Sequence, residues 1–334
     1  MKMTKKYYME TGSTDPFFNL AMEQYVFDHM GDGDSCFMLW QNDNAVIIGK
    51  YQNTYAEINA EYVREHEIRV ARRLSGGGAV YHDLGNLNFT FISEEDGDHF
   101  DFTTYCRVII SALQKFGVNA EITGRNDMTV EGKKFSGNSQ YYKRGRIMHH
   151  GTILFDSDLT VLSKALKVKP DKYRSKGMKS VRSRVTNLKP YLPQYDTIDT
   201  FWAALRDELI EKFDAVPYAP SKSELEEIQS LRDSFYSTWE WNYGFTPDYS
   251  VFKERYVENC GTIQIYMDAV RGGSIQDIRF YGDFFAGTDP SILSETLKGC
   301  RLDQESLQER LSETNIDLFF KNLSKETFIQ LILE

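Results

Sequence analysis

Cysteine is scarce in this chain. Four cysteines stand at 36, 106, 260 and 300 among 334 residues, and no two are close enough to suggest a zinc knuckle or a redox pair. Long apolar runs are absent too. Nothing approaches the roughly 20 residues of a membrane span, and the start, Met-Lys-Met-Thr-Lys-Lys-Tyr-Tyr, lacks the apolar run of a secretory signal. A cytoplasmic protein with no membrane partner is the expectation. An excess of positive charge is also missing: 39 Lys and Arg stand against 49 Asp and Glu, a net charge of −10. Nucleic-acid phosphates would repel such a chain, so no nucleic-acid partner is expected. A DNA-binding regulator would need a helix-turn-helix extension, for which the N-terminus leaves no room. Several nucleotide and metal motifs fail as well. A P-loop ending at Gly132-Lys133 would need glycine where Asp127 stands, and a dinucleotide fingerprint from Gly76 would need glycine or alanine at Tyr81. No His-Glu-x-x-His is present.

What the chain does have is centred on Arg72 to Ile92. Two arginines end an apolar strand, Ile68 to Arg73, and Gly76, Gly77 and Gly78 follow in the next turn. Glycines let a ligand approach the backbone closely, and arginines beside such a turn offer forked donors suited to phosphate or carboxylate. The plain alternative is a Gly-rich hairpin with solvent-facing arginines, which three glycines would weaken. An alternating run then sends Ala79, Tyr81 and Asp83 to one side and Val80, His82 and Leu84 to the other. A second informative stretch runs from Gly124-Arg125-Asn126-Asp127 to Gly132-Lys133-Lys134-Phe135-Ser136-Gly137-Asn138-Ser139. Lys133 and Lys134 fall on opposite faces of a strand, and alternation alone does not say which enters a pocket. The same holds for His149 and His150: at most one faces a pocket.

Strands are expected at Lys5–Glu10, Cys36–Trp40, Ala45–Gly49, Leu87–Ile92, Ala120–Thr123 and Ile147–Phe155. Helices are expected from Asp15-Pro16 to His29, from Asn59 to Glu67, at Phe102–Phe116, at Ile198–Phe213, and at Ser221–Ser234 with a capping box from Ser221 to Glu224. Alternating Trp239, Trp241 and Tyr243 read as core packing. This order indicates an α+β sheet layered with helices, not a doubly wound parallel fold. A boundary is expected around Thr246-Pro247-Asp248, giving domains 1–246 and 247–334, the latter a small α+β unit with strands at Thr262–Met267 and Ser274–Phe280 and helices at Ser291–Leu297 and Ser324–Leu333. Lys164 to Lys189 carries ten Lys or Arg and one acid, Asp171, in an otherwise acidic chain. It reads as a solvated loop or a flexible anion-binding lid.

Taken together, these blocks resemble the lipoate-protein ligases, in the superfamily shared with biotin ligases. The resemblance rests on Asn19-Leu20-Ala21 with Glu23, Ile47-Ile48-Gly49 with Gln52-Asn53, Arg72 to Phe91, Gly124 to Asp127, Lys134 to Gly137, His149 to Thr152 and Ser180 to Val185, in order along residues 15 to 190. The tail is similar to the accessory domain of the bacterial two-domain form. The resemblance implies a catalytic domain like those of class II aminoacyl-tRNA synthetases and biotin ligases. It implies two steps: lipoate and ATP give lipoyl-AMP, and a lysine of an apo lipoyl domain then takes the lipoyl group. Acceptors would be dehydrogenase E2 subunits, the glycine-cleavage H protein, or both. Matching motif positions places Arg73, Gly78, Ala79, Val80, Tyr81, Lys134 and Arg182 at the ATP or adenylate, and Arg73, Gly77, His82, Lys134 and His150 at lipoate. Lys134 is the catalytic residue, which selects it over Lys133, and Lys176 to Arg184 corresponds to an adenylate-binding loop. Ser139 departs from the alanine of many relatives. ATP chemistry brings Mg2+, with Asp127 either helping to hold it or serving as a turn residue.

Other readings stay open at this level. Octanoyl or lipoyl transferases of the superfamily use a pocket cysteine, and none of the four lies in a motif stretch. A protein that activates or holds lipoate but needs a helper for transfer would carry the same motifs. Octanoate could serve as a second substrate, because a methylene discriminates by only about 1–3 kcal/mol.

Overall fold

The computed structural model describes residues 4–95, 101–167, 185–244, 250–269 and 273–333. In chain order the first strands are β1 (Lys6–Glu10), β2 (Ser35–Trp40), β3 (Ala45–Ile48), β4 (Arg69–Arg72), β5 (Val80–His82), β6 (Asn86–Glu94) and β7 (Ala120–Thr123). Then come β8 (Asp127–Val130), β9 (Lys133–Lys143), β10 (Arg146–Leu154) and β11 (Val216–Pro217). Eight of them build one sheet in the order β11-β1-β2-β6-β10-β9-β8-β7. It is mixed: β11, β1 and β2 run parallel, and the remaining pairs are antiparallel. The short strands β4-β3-β5 form a second sheet. The α+β expectation holds.

Alternation along β1, β2 and β6 decides how the helices layer. Tyr8, Phe37, Leu39, Phe89 and Phe91 point to one face and meet the helices Thr103–Lys115 and Ile198–Phe213. Met9, Met38, Trp40 and Ile92 point to the other and meet the helices Pro16–His29 and Lys222–Leu231. Local chemistry sets the helix ends. The Asp15 carboxylate accepts from the Phe17 amide at 3.2 Å, and Pro16 occupies the first turn. Ser221 and Glu224 complete their capping box.

A separate C-terminal domain has its own antiparallel sheet, β12 (Val251–Val257), β13 (Gly261–Ala269) and β14 (Ile275–Gly282), and its own core, which includes Ile263, Ile265, Phe280, Leu293 and Phe328. Strand β12 and the helix Gln304–Arg310 were not expected. The segment Phe252-Lys-Glu-Arg-Tyr256 is mostly exposed, so it carries no buried-strand signal. Trp239–Tyr243 is a short helix capped by Thr238, not an alternating core segment, and Trp239 is 56% exposed. The expected helix at Ser221–Ser234 ends as an α-helix at Leu231 and continues as a π turn, Arg232–Tyr236. The expected boundary at 246–248 and most of the basic segment lie outside the described residues.

Arg72 explains why the small sheet sits where it does. Its side chain is buried, and its guanidinium donates to six acceptors at 2.7–3.1 Å: the carbonyls of Trp241, Gly49, Lys50, Gln52 and Asn242, and the Thr54 hydroxyl. The sequence suggested an anion-binding fork here. The structure corrects that, because strand alternation turns Arg72 away from its neighbour and into a ring of backbone oxygens. Arg72→Met keeps the apolar stem and strands those acceptors without donors. Stability in urea should fall by about 3 kcal/mol or more, and a variant within about 1 kcal/mol of the parent would contradict this role.

Candidate functional site

A two-residue turn selects the cleft lysine. Glu131 and Gly132 both have positive φ, 50° and 71°, the geometry of a tight hairpin turn. It pairs Val130 with Lys133 and Thr129 with Lys134. Lys133 is thereby sent to solvent, and Lys134 into a cavity of about 670 Å³. There the Lys134 ammonium pairs with Asp127 at 2.7 Å, both about one-third exposed. The chain re-enters the described region beside it: Val185 bridges Lys134, and the Thr186 amide donates to the Lys134 carbonyl. Asn126 and Asn138 clamp the turn before Asp127, exchanging backbone and side-chain hydrogen bonds.

The glycine turn forms the opposite wall. Gly77, Gly78, Ala79, Val80 and His82 line the cavity, as do Arg73, His150, Asp127 and Lys134. Of the expected site residues that are described, Tyr81 does not join them. Tyr81 turns to the far face of β5, is buried with Val46, Ile48 and Val63, and donates to Asn44 at 3.2 Å. Any part it has in binding is therefore through its backbone. Arg182 lies outside the described residues. Leu20, Trp40, Ile47 and Val80, which share one apolar cluster, line the cavity together with the polar groups of Gly124 to Asp127, Lys134 and Asn138.

The glycines are required sterically. A Cβ on Gly49 would lie 2.0 Å from the Gly77 carbonyl oxygen, and one on Gly76 would lie 2.4 Å from that of Phe284. Phe284 belongs to the C-terminal domain, and its carbonyl accepts from the Gly77 amide at 3.3 Å. Arg125 reaches across to the carbonyls of Cys260 and Asp283 and lies 4.5 Å above the Phe285 ring. Tyr256, Glu258, Asn259 and Asp283 add C-terminal residues to the cavity wall. No sequence motif signalled this contribution, because these residues carry only shape and polarity.

Arg73 is buried beneath the turn. Its Nε donates to Ser75 Oγ at 3.1 Å, Nη1 to the Ile47 carbonyl at 3.3 Å, and Nη2 to the carbonyls of Gly76 and Gly78 at 2.6 and 2.8 Å. Burial pulls its pKa down to about 10, which still leaves it charged at neutral pH. Ser139 donates to the same Gly76 carbonyl at 2.7 Å, so its hydroxyl ties β9 to the turn.

The paired histidines separate as alternation requires. His150 faces the cavity, with Nε2 2.6 Å from Ser75 Oγ and Nδ1 3.1 Å from Glu23. His149 is fully buried between Gln140 and Asn138, and burial holds its pKa well below the ordinary value. His82 accepts at Nδ1 from Asn42, which leaves its buried Nε2 as the unpaired donor, and burial lowers its pKa to about 3.

None of the four cysteines lines the cavity. All are buried, and burial raises the Cys106 and Cys260 thiols to about 12, far from nucleophilic thiolates. Among the described residues no cluster of three or more His, Cys, Asp or Glu could hold a metal ion. No described helix is long and apolar enough to cross a membrane.

The buried histidines make stability depend on pH. Their folded pKa values lie below 6.5, so the unfolded chain binds more protons as pH falls below that value. Their contribution is intact above pH 6.5 and is lost progressively toward the folded value of about 3 for His82. Urea midpoints at pH 7.5 and pH 5 should therefore differ less for His149→Gln than for the parent. An unchanged difference would contradict burial of a neutral imidazole.

Comparison with known proteins completes the site. Residues 15–210 match the lipoyl protein ligase A/B catalytic domain, and residues 246–332 match the bacterial lipoate protein ligase C-terminus. The chain is 42% identical to lipoate-protein ligase LplJ of Bacillus subtilis, over 95% of this chain and 97% of the relative. It is 40% identical to lipoate-protein ligase 1 of Staphylococcus aureus, over 98% and 99%. Its fold is similar to that of Plasmodium falciparum LipL1 in complex with lipoate (TM-score 0.80, 23% identity, 98% of each chain). It is also similar to a bipartite lipoate protein ligase of Thermoplasma acidophilum studied with its E2 lipoyl domain (0.65, 30%, 75% of this chain and 100% of that one), and to a lipoate-protein ligase A bound with ATP (0.62, 28%, 73% and 99%). With its catalytic cleft and C-terminal domain both matched, this chain belongs to the lipoate-protein ligase family and is an enzyme of that class.

Proposed function

We propose that this enzyme activates free lipoate with ATP to lipoyl-AMP and transfers the lipoyl group to a lysine of apo lipoyl domains. The acceptors inferred are 2-oxoacid dehydrogenase E2 subunits, the glycine-cleavage H protein, or both, in the cytoplasm. The observation that carries this reading is one cleft lined both by an apolar cluster, Leu20, Trp40, Ile47 and Val80, and by polar groups that include Lys134. An acyl chain fits the first and an adenylate the second. The relatives bound with ATP and studied with an E2 lipoyl domain support the same reading.

In the first step a lipoate carboxylate oxygen bonds to the α-phosphorus, and the bond to pyrophosphate breaks. Negative charge builds on the α-phosphate oxygens, where a fixed cation lowers the barrier most. Lys134 is that cation. Its present partner, Asp127, is partly exposed, so exchanging that carboxylate for phosphate costs little desolvation. At an effective dielectric of 20, a cation 4 Å from a phosphate charge is held by roughly 4 kcal/mol. In the second step the acceptor amine bonds to the lipoyl carbonyl carbon, AMP departs with the bonding pair, and the amine's proton leaves to solvent. AMP is the activating group, so no nucleophilic side chain is required.

Magnesium fits this cleft as an ion carried mainly by phosphate oxygens and water, with Asp127 the carboxylate beside Lys134 that would add a protein oxygen. When bound it offsets charge on the triphosphate. The basic segment with Arg182 is assigned to the adenylate, and the domain boundary is placed between 246 and 247.

Intact-mass analysis of an apo lipoyl domain incubated with enzyme, lipoate, ATP and magnesium tests the function. One lipoyl group should be gained, and only when ATP is present. ATP-dependent lipoyl-AMP without acceptor modification would instead favour an activating enzyme that needs a helper. Folded Lys134→Ala should form no adenylate, and near-normal adenylation by that variant would sink its assigned role.

A further inference from the structure

Glu23 is a carboxylate with 1% exposure, yet among the described residues no arginine or lysine pairs with it. Its partners are the Thr90 hydroxyl at 2.5 Å and His150 Nδ1, 3.1 and 3.3 Å from its two oxygens. The direction of each hydrogen bond follows from groups that can only donate. Trp40 Nε1–H donates to Thr90 Oγ1 at 2.9 Å, so the Thr90 proton goes to Glu23. At the other end, Arg73 Nε–H donates to Ser75 Oγ at 3.1 Å, so the Ser75 proton is directed to His150 Nε2 at 2.6 Å. His150 then accepts at Nε2 and donates from Nδ1 to Glu23. With the opposite tautomer, a lone pair would face two carboxylate oxygens and the Ser75 proton would have no acceptor. Both nitrogens of His150 are thus engaged within the protein.

Arg73 is engaged in the same way. Of its five N–H donors, four point at Ser75 and at the carbonyls of Ile47, Gly76 and Gly78. The guanidinium supports the glycine turn from below. Its charge is balanced by Glu23 through two neutral side chains.

We propose that Glu23, His150 and Ser75 form a one-directional hydrogen-bond relay that fixes the Arg73 guanidinium as the internal support of the glycine turn. All four are positioning residues for adenylation, and Arg73 and His150 act on the substrates through that turn instead of by direct contact. The kinetic consequence rests on the ligase reading above, but the proton arrangement does not.

Two measurements test the relay. Two-bond 1H–15N correlation spectra of the full-length wild-type protein, with His150 assigned by its loss in His150→Gln, should show the Nδ1–H tautomer. An Nε2–H tautomer or an imidazolium would overturn the relay. Ser75→Ala should move the His150 signature away from that of the wild type, which a purely space-filling serine would not do. The second measurement is a double-mutant cycle on lipoate-dependent ATP–pyrophosphate exchange. Ser75→Ala and Glu23→Gln should each lower the rate on the order of tenfold by misplacing the turn. Because the two residues act through one chain, the double variant should lose about tenfold in total, as each single variant does, not about a hundredfold. Additive losses, or unchanged single variants, would overturn the proposal. A wild-type protein that makes no adenylate would overturn the ligase reading instead, and the tautomer would still decide the relay.

Discussion

Three stretches of backbone meet at the glycine turn, and no side chain fits between them. The Gly77 carbonyl lies against Gly49, the Phe284 carbonyl lies against Gly76, and the Arg73 guanidinium fills the space beneath. The glycine-turn wall of the cleft is placed by this convergence. The small sheet is brought down on the large one, and Arg72 and Arg73 part to opposite sides of β4. The C-terminal domain gains a backbone foothold on the glycine-turn wall of the cleft. Packing of this closeness transmits displacement, because protein interiors have few voids to absorb it.

A division of labour among charged groups follows. The two arginines nearest the turn are buried and directed at carbonyl oxygens, so they shape the site. Lys134, partly exposed and paired with one partly exposed carboxylate, is the cation able to change partners. Arginine's planar, multiply donating group suits the fixed role, and lysine's single mobile ammonium suits the changing one.

Much of this was legible in the sequence. Asp15-Pro16 and Ser221 with Glu224 named their own elements, because caps are local chemistry. Alternation separated His149 from His150 and Lys133 from Lys134, but left open which member of each pair faced inward. That depended on which face of the sheet the cleft occupies, a tertiary fact. Arg72 was misread as an anion fork because five of its six acceptors are backbone carbonyls, two of them contributed from Trp241 and Asn242, far along the chain. Strand β12 was missed because its residues face solvent. Tyr81 was placed at the nucleotide by its motif, yet a three-residue strand turns its side chain away. The C-terminal share of the cleft wall had no sequence signal at all.

The hairpin between β8 and β9 decides between two adjacent, chemically identical lysines by parity alone. Because strand side chains alternate with a period of two, inserting one residue in the Glu131-Gly132 turn and sliding β9 by one residue against β8 would bring Lys133 to the place of Lys134, whereas deleting one would bring Phe135 there. Composition and local charge would hardly change, but every side chain of β9 would exchange faces. This turn can therefore vary in the identity of its residues, within what positive φ permits, but not by a single residue in its length.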